Sequence, residues 1–166
     1  MSSSQQYEIA AMTRNGFTLA HEIIQRSFSD TWAEAKTEWK LDNISFANEP
    51  QRCLCSHFPI MELCEITNVL NGARVTVGNC CVKKFLGLGS DKIFQSIKRV
   101  RENPDSSLNA EAVDYAIGKG LMTEWEKEFY LDTIRKRKLS PKQWEKRRQI
   151  NVKLVQKIMK PCTSTL

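Results

Sequence analysis

The pattern of apolar and polar positions predicts helices at both ends of the chain and an extended section between them. Apolar residues at mixed helical spacing over residues 7–28 predict one broken helix or two short ones. Thr31 and Glu34 fit a capping box, so a helix that carries Trp32 and Trp39 is expected to follow. The N-terminal section is therefore expected to be mainly helical.

The central section has the pattern of a β-hairpin that leads into a helix. Two β-rich runs flank Asn71 and Gly72, a pair that tolerates the positive φ angles of a type I′ turn. Residues 41–46 also look extended. Asn79 is placed to cap a helix that starts near Cys80. A strand, a tight turn, a second strand and a short helix are expected in this order.

The C-terminal half reads as a series of amphipathic helices. Their predicted N-terminal caps are Ser90, Asn109, Thr123 and Ser140. The last helix has a complete start, in which a proline follows the cap and a glutamine stands three residues after it. This helix is expected to run to about Met159. The predicted core faces are formed by Ile93, Phe94, Ile97 and Val100, then Leu121, Trp125 and Phe129, and finally Ile150, Leu154 and Ile158.

Composition places the chain among globular proteins and makes its cysteines informative. The 166 residues are 41% hydrophobic and 27% charged, which excludes collagen-like and wholly disordered classes. No apolar run reaches the roughly 18 residues of a membrane helix, and the polar start does not resemble a signal peptide. We therefore expect a protein of the bacterial or host-cell cytoplasm, where six cysteines serve as metal ligands or free thiols rather than disulfides.

Several cysteines and a histidine surround the predicted hairpin. Cys53, Cys55 and His57 alternate, so they share one face of a strand or wrap one ion, and Cys81 arrives in the first turn of a helix. This set predicts a tetrahedral Zn²⁺ site, with Cys64 as the alternative to His57 for the fourth ligand. Buried free cysteines that merely pack in a core are the competing interpretation.

The positive charge is concentrated near the C-terminus. The whole chain carries +6, while residues 104–134 carry −5 and residues 135–160 carry +10. Such a block predicts a surface that binds a polyanion, although a solvated basic helix would have the same composition. The candidate phosphate contacts are Arg74, Lys83, Lys84, Arg99, Arg101, Arg135, Arg137, Lys138, Lys142, Lys146, Arg147 and Arg148.

The central motifs also resemble a family. These motifs are Cys53-Leu-Cys55-Ser-His57, Asn68-x-x-Asn71-Gly72 and Val77-Gly78-Asn79-x-Cys81-Val-x-Lys84-Phe85. They resemble a cysteine cluster of uncharacterised bacteriophage and mobile-element proteins, in which Cys-x-Cys-Gly-His is common and Ser56 takes the place of the glycine. The resemblance implies a small zinc module of the zinc-finger type, with a helical tail that binds nucleic acid.

These observations predict an α+β protein with a treble-clef-like, zinc-bound hairpin and helix, flanked by N-terminal helices and a C-terminal helical segment. The expected domains are an N-terminal helical segment (1–50), a zinc-binding hairpin–helix module (51–90), a basic helical segment (91–160) and a tail (161–166).

The expected function is that of a DNA- or RNA-binding accessory protein of a phage or mobile element. The alternative is an interaction factor that docks on a host polymerase, nuclease or defence complex through the acidic section 104–134 and exposed aromatic residues. A zinc hydrolase would need an open metal position and a base such as Glu62 or Glu65. Because the usual signatures of zinc enzymes are missing, we expect a protein that is not an enzyme.

Overall fold

The computed structural model describes residues 14–159 and has an α+β architecture, as the sequence predicts. The chain divides into two compact units, Met1–Ser90 and Asp91–Leu166. The predictions for residues 7–13, for Lys160 and for the tail lie outside the described residues. Within the described range, no helix is long and apolar enough to cross a membrane.

The first unit begins with two helices and a three-stranded antiparallel sheet. Helix α1 (Arg14–Ile24) and the short helix α2 (Trp32–Ala35) precede β1 (Trp39–Gln51), β2 (Ile60–Asn68) and β3 (Arg74–Gly78). The strands lie in the order β1-β2-β3, so the long β1 pairs with the predicted hairpin. The largest fully buried side chains of this unit include Leu19, Ile23, Ile44, Ile66, Val77 and Val82.

The N-terminal helices differ from their prediction in two respects. Helix α1 continues through Gly16 without a break. The helix predicted to carry Trp32 and Trp39 ends at Ala35, and a 3₁₀ turn leads into β1, where Trp39 is the first residue. The hydroxyl of Thr31 bonds to the Glu34 carboxylate rather than to the backbone, so the predicted capping box does not form.

Glu38 joins the end of this helical section to the hairpin. Its buried carboxylate accepts hydrogen bonds from the backbone N–H groups of Phe28 and Ser29, both at 2.7 Å, and from the Asn68 amide at 2.6 Å. Burial raises the pKa of a carboxyl group, but these hydrogen bonds outweigh burial and lower the pKa of Glu38 to about 2. The ionised carboxylate therefore fixes the loop before α2 against the end of β2.

The loop between β2 and β3 is longer than a type I′ turn. It contains residues 69–73, and Gly72 has a positive φ of 74°, whereas Asn71 does not have a positive φ. The Asn68 side-chain oxygen accepts hydrogen bonds from the N–H groups of Leu70 and Asn71 at 2.8 and 3.2 Å. The predicted two-residue turn is wrong, because Asn68 takes up the backbone donors of a wider loop.

A short helical segment follows β3 directly. Helix α3 (Asn79–Cys81) continues into a π-helical turn over Val82–Leu86 that ends at Gly87. Gly78, not Asn79, holds the N-cap position. The buried Asn79 side chain instead donates to Glu62 at 2.8 Å and accepts from the Ser90 hydroxyl at 2.6 Å. Asn79 therefore connects the helix start to β2 and to the end of the unit.

Four helices account for most of the second unit. They are α4 (Ser90–Glu102), which begins at the unit boundary, α5 (Ala110–Gly118), α6 (Glu124–Thr133) and α7 (Pro141–Met159). The caps predicted at Asn109, Thr123 and Ser140 form the expected side-chain to backbone bonds. These three predictions are confirmed, and in each case the cap accepts a hydrogen bond from the backbone N–H three positions later.

Tyr130 and Asn151 form a polar network inside the second unit. The Tyr130 hydroxyl donates to the Asn151 side-chain oxygen at 2.8 Å and accepts from the N–H of Leu108 at the same distance. The Asn151 amide donates to the carbonyls of Pro104 and Ser106 at 2.7 and 2.8 Å. Both side chains have no exposed surface. The network fixes the loop between α4 and α5 against α7.

The predicted core faces of the second unit are only partly correct. The apolar stripes of α4 and α7 are buried as expected. On α6, however, Trp125 is 57% exposed, and the buried side of the helix carries Tyr130 and Thr133. The prediction that Trp125 belongs to the core is therefore wrong.

Candidate metal centre

Three of the predicted ligands converge inside the first unit. Cys53 and Cys55 come from the loop before β2, and Cys81 comes from α3. Their sulfur atoms all lie within 4.8 Å of one another, with Cys81 Sγ 3.7 Å from Cys53 Sγ and 3.3 Å from Cys55 Sγ. Thiolates on a tetrahedral Zn²⁺ are about 3.8 Å apart, whereas a disulfide measures about 2.05 Å. All three are buried, and this cluster can hold a metal ion.

A tight turn brings Cys53 and Cys55 to the same place. The N–H of Ser56 donates to the Cys53 carbonyl at 2.8 Å, and the N–H of Cys53 donates to the His57 carbonyl at 2.9 Å. Ser56 has a φ of 69°, which glycine adopts at much lower cost than a residue with a Cβ atom. The turn thus depends on a left-handed residue between the second cysteine and the histidine.

Gly78 allows the end of β3 to approach the cluster. Its N–H donates to Cys53 Sγ at 3.2 Å. A Cβ atom on Gly78 would lie 3.2 Å from the Ile60 side chain and 3.6 Å from Cys53 Sγ, which leaves little space for any side chain. Sequence reasoning missed this contact, although the Val77-Gly78 pair of the family-like motif was a signal for it.

The protonation of the three sulfur atoms follows from their hydrogen bonds. The Cys81 thiol and the Gly78 N–H stabilise a thiolate on Cys53 and lower its pKa to about 5. The hydrogen bond to Cys53 raises the pKa of Cys81, and burial raises the pKa of Cys55. A divalent cation would take the place of the protons that these three sulfur atoms share.

A cavity of about 470 Å³ opens beside the thiols. Cys53, Cys55 and Cys81 line it together with the exposed His57 and the exposed Cys80. Within residues 14–159, the close cluster contains only the three cysteines, so His57 is near the site without being part of it. His57 is therefore placed on the rim of the space that the thiols share.

Cys64, the alternative fourth ligand, lies outside both the cluster and the cavity lining. It has no exposed surface, and burial raises its pKa to about 12. Cys64 therefore behaves as a packed core thiol, which is the role that the competing interpretation gave to all of these cysteines.

Some basic residues of the second unit form contacts with other residues of the protein, and others do not. Arg147 was predicted to contact phosphate, but this is wrong, because it is 7% exposed. Its guanidinium donates to the Thr133 carbonyl and lies 5.7 Å from the centroid of the Tyr130 ring. Lys153, on the same helix, contacts the Glu126 carboxylate at 2.5 Å. These two cations stabilise the fold.

Other candidate contacts are exposed but have neighbours. Arg148 lies 3.3 Å from Asp105 and 5.4 Å from the Trp144 ring. Arg99 donates to the Ser107 carbonyl at 2.6 Å, and Arg101 lies 3.8 Å from the Met159 sulfur. By contrast, four cations are exposed and make no ion pair or hydrogen bond to a described residue through their side chains: Arg135, Arg137, Lys138 and Lys142.

In the first unit, Arg74, Lys83 and Lys84 are exposed. Arg74 is the first residue of β3, after the hairpin loop. Lys84 lines the cavity beside the thiols, with its ammonium 5.3 Å from the centroid of the Phe85 ring. Contact of these three residues with a polyanion stays a prediction.

Comparison with known proteins adds no relative to this picture. No family model, no curated protein and no solved structure matches the chain.

Proposed function

We propose that the chain is a zinc-stabilised nucleic-acid-binding protein. Its ligands are Cys53, Cys55, Cys81 and His57. His57 is preferred to Cys64 because it lines the same cavity as the three thiols, whereas Cys64 does not. Three thiolates and an imidazole form a donor set that suits tetrahedral Zn²⁺ and closes its coordination sphere. Such a closed site is structural rather than catalytic, so the proposal assigns no enzymatic activity.

The arrangement we propose for the zinc module is treble-clef-like. A turn supplies two ligands before the β2–β3 hairpin, and the helix after the hairpin supplies a third. The metal would hold the turn, β3 and α3 together. Because the binding free energy of a structural metal is also folding free energy, zinc binding would contribute to the stability of the module.

We also propose the relationship to bacteriophage and mobile-element proteins that the motifs suggest. The left-handed φ of Ser56 supports it, because glycine is the residue that those proteins commonly carry in this turn. The local roles of Asn68 and Asn71 support it further. The Asn68 side chain organises the hairpin loop, and the Asn71 side chain donates to the Arg26 carbonyl at 2.9 Å. The motif therefore coincides with residues that determine local geometry.

The observation that carries the nucleic-acid proposal is the group of four unpaired cations over residues 135–142. Like charges so close in sequence repel one another in the free protein, and phosphate groups relieve that repulsion. We define Arg135, Arg137, Lys138 and Lys142 as the basic cluster. It is proposed to contact the phosphate backbone, which gives affinity without selecting a sequence.

The test is a salt series with the full, zinc-loaded chain and labelled single- and double-stranded DNA and RNA. We expect binding that weakens with salt. The variant Arg137→Gln/Lys138→Gln should reduce the slope by about 1.4 for a single strand, at about 0.7 per phosphate contact. The control Lys92→Gln/Lys127→Gln removes the same charge at residues that pair with Glu111 and Glu124 and should have a smaller effect. Equal slopes in the two variants would contradict the proposal.

A further inference from the structure

We propose that Trp125, Phe129, Lys142 and Lys146 form a platform that binds single-stranded nucleic acid by base stacking. This inference rests on the function proposed above and names its substrate class. The four residues belong to helices α6 and α7 of the second unit, and we call them the stacking platform.

The first observation is an aromatic pair in which Trp125 is exposed and Phe129 is half-buried. Trp125 is 57% exposed, whereas Trp32 and Trp39 of the first unit are buried. The rings of Trp125 and Phe129 are 5.6 Å apart between centroids and are inclined by only 16°. The two residues lie one turn apart on α6, so the helix holds both rings in place. The exposed part of the Trp125 ring therefore offers a flat apolar surface to solvent.

The second observation is that positive charge borders this surface. The ammonium of Lys146 lies 5.1 Å from the centroid of the Trp125 ring. Lys142, one turn earlier on α7, lines the same shallow surface depression as Lys146 and makes no pair with a described residue. Lys142 also belongs to the basic cluster. The cluster thus extends through two lysines to the exposed aromatic rings.

Most acidic side chains on these helices have a partner, and the exception among the described residues is the exposed Glu128 of α6. Glu145 accepts a hydrogen bond from Gln149 at 3.1 Å, Glu124 lies 3.5 Å from Lys127, and Asp132 lies 2.7 Å from Lys136. Lys142, beside Lys146 in the same depression, keeps a positive charge that no described residue pairs. The platform is therefore complementary to a ligand that offers both flat rings and negative charge.

A single strand has both of these features, whereas a duplex does not expose them together. Base faces in a duplex are stacked on one another, while a flexible single strand can lay a base on an aromatic ring and place its phosphates against lysine. A base that stacks on Trp125 would displace the Lys146 ammonium. The Lys146 side chain is long enough for this ammonium to contact the adjacent phosphate. Stacking of this kind tolerates any sequence, because every base has a flat face.

The experiment measures binding of the zinc-loaded full chain to a labelled oligo-dT of about 15 nucleotides and to a duplex of about the same length. We expect the native chain to prefer the single strand, and Trp125→Ala to weaken its binding about tenfold. Trp125→Phe keeps a ring and should restore most of the affinity. Trp144→Ala is the matched control and should bind like the native chain, because Trp144 is also exposed with a cation over its ring but stacks on no described aromatic ring.

The outcomes separate this inference from the proposed function. Salt-dependent binding of the single strand that is equally strong in native, Trp125→Ala and Trp144→Ala proteins overturns the stacking platform and leaves the proposed function in place. Equal affinity for duplex and single strand also overturns it. Absence of binding to either probe at low salt overturns the proposed function and the platform together, and would favour a protein partner for the exposed tryptophans.

Discussion

The cysteine cluster and the basic C-terminal section look alike in the sequence, since each is a dense run of one chemistry. In the structure they differ. Three cysteines from two separate segments converge on one point, whereas the cations of the basic section have different fates. Arg147 is buried and Lys153 pairs with Glu126, while Lys142 remains exposed and unpaired. Thiols are readily buried together, whereas like charges repel, and a cation is held only where an acceptor lies within reach.

The largest effect should come from removing a thiol from the cluster. Cys81→Ser removes a sulfur atom that lies 3.3 Å from Cys55 and 3.7 Å from Cys53. We expect this variant to lose stoichiometric zinc and the first unit to unfold readily, because structural zinc contributes on the order of 10 kcal/mol at pH 7. Zinc content and thermal unfolding would be measured on the same preparation.

The neighbouring cysteine provides the control for that experiment. Cys80 is exposed and lies outside the close cluster. Cys80→Ser should therefore keep zinc and native stability. If Cys81→Ser retained one zinc per chain while Cys80→Ser lost it, the choice between the two adjacent thiols would be wrong.

Stability of the second unit should depend on its polar network instead of on a metal. Asn151→Ala removes the partner of the Tyr130 hydroxyl and of two loop carbonyls. We expect a loss of about 3 kcal/mol in the free energy of unfolding, with zinc content unchanged. Denaturant unfolding and metal analysis would measure the two quantities. Loss of zinc in this variant would contradict the separate assignment of the network and the metal centre.

Two lysines of α7 should separate structural from unpaired charge. Lys153→Gln should cost about 1 kcal/mol of stability, a value reduced for partial exposure, because Glu126 loses its ion pair. Lys142→Gln should leave stability unchanged and weaken nucleic-acid binding. Equilibrium unfolding and oligonucleotide binding, measured on both variants, test this assignment. A stability loss in Lys142→Gln equal to that in Lys153→Gln would contradict it.

The Lys153 effect should also depend on pH. Burial raises the pKa of Glu126, but hydrogen bonds from Lys153 and Thr123 outweigh burial and lower it below the usual 4.5. A lowered pKa means that the stabilisation is present above pH 4.5 and is lost as the pH falls below that value. The difference in stability between the native chain and Lys153→Gln should therefore shrink on acidification. A difference that grew at low pH would exclude the ion pair as its cause.

The smallest effect should be a gain. Ser56→Gly relieves a left-handed conformation at the turn that carries Cys53 and Cys55. We expect an increase of about 0.5 kcal/mol in the free energy of unfolding. The gain is small because glycine loses more entropy on folding, which offsets part of the relieved backbone strain. Chemical unfolding of the zinc-loaded proteins would detect it. A clear loss of stability would mean that the serine side chain itself stabilises the turn by more than its left-handed backbone costs.

Several features that depend on near neighbours were predicted correctly from the sequence. The caps at Asn109, Thr123 and Ser140 formed as expected, and so did the α+β class, because both follow from local patterns. Convergence of the three cysteines was also foreseen from their position around a hairpin. Local spacing was sufficient for the caps, whereas the cysteine cluster also required the hairpin that brings Cys81 back to Cys53 and Cys55.

Features that depend on distant partners escaped prediction. Trp125 was expected in the core, but Tyr130 occupies the buried side of α6, since Asn151 and the Leu108 N–H offer partners for its hydroxyl. The Asn79 side chain was likewise expected to cap a helix, but it forms hydrogen bonds with Glu62 and Ser90 instead. Such side chains have several possible partners in a sequence, and only the fold selects among them.

X-ray absorption at the zinc edge of the loaded, full-length chain would test the central claim most directly. The account predicts one zinc per chain, with three sulfur atoms at about 2.3 Å and one nitrogen at about 2.0 Å. A shell of four sulfur atoms would replace His57 by another cysteine. Failure of the chain to bind zinc at all would contradict the metal centre and remove the proposed basis for the stability of the first unit.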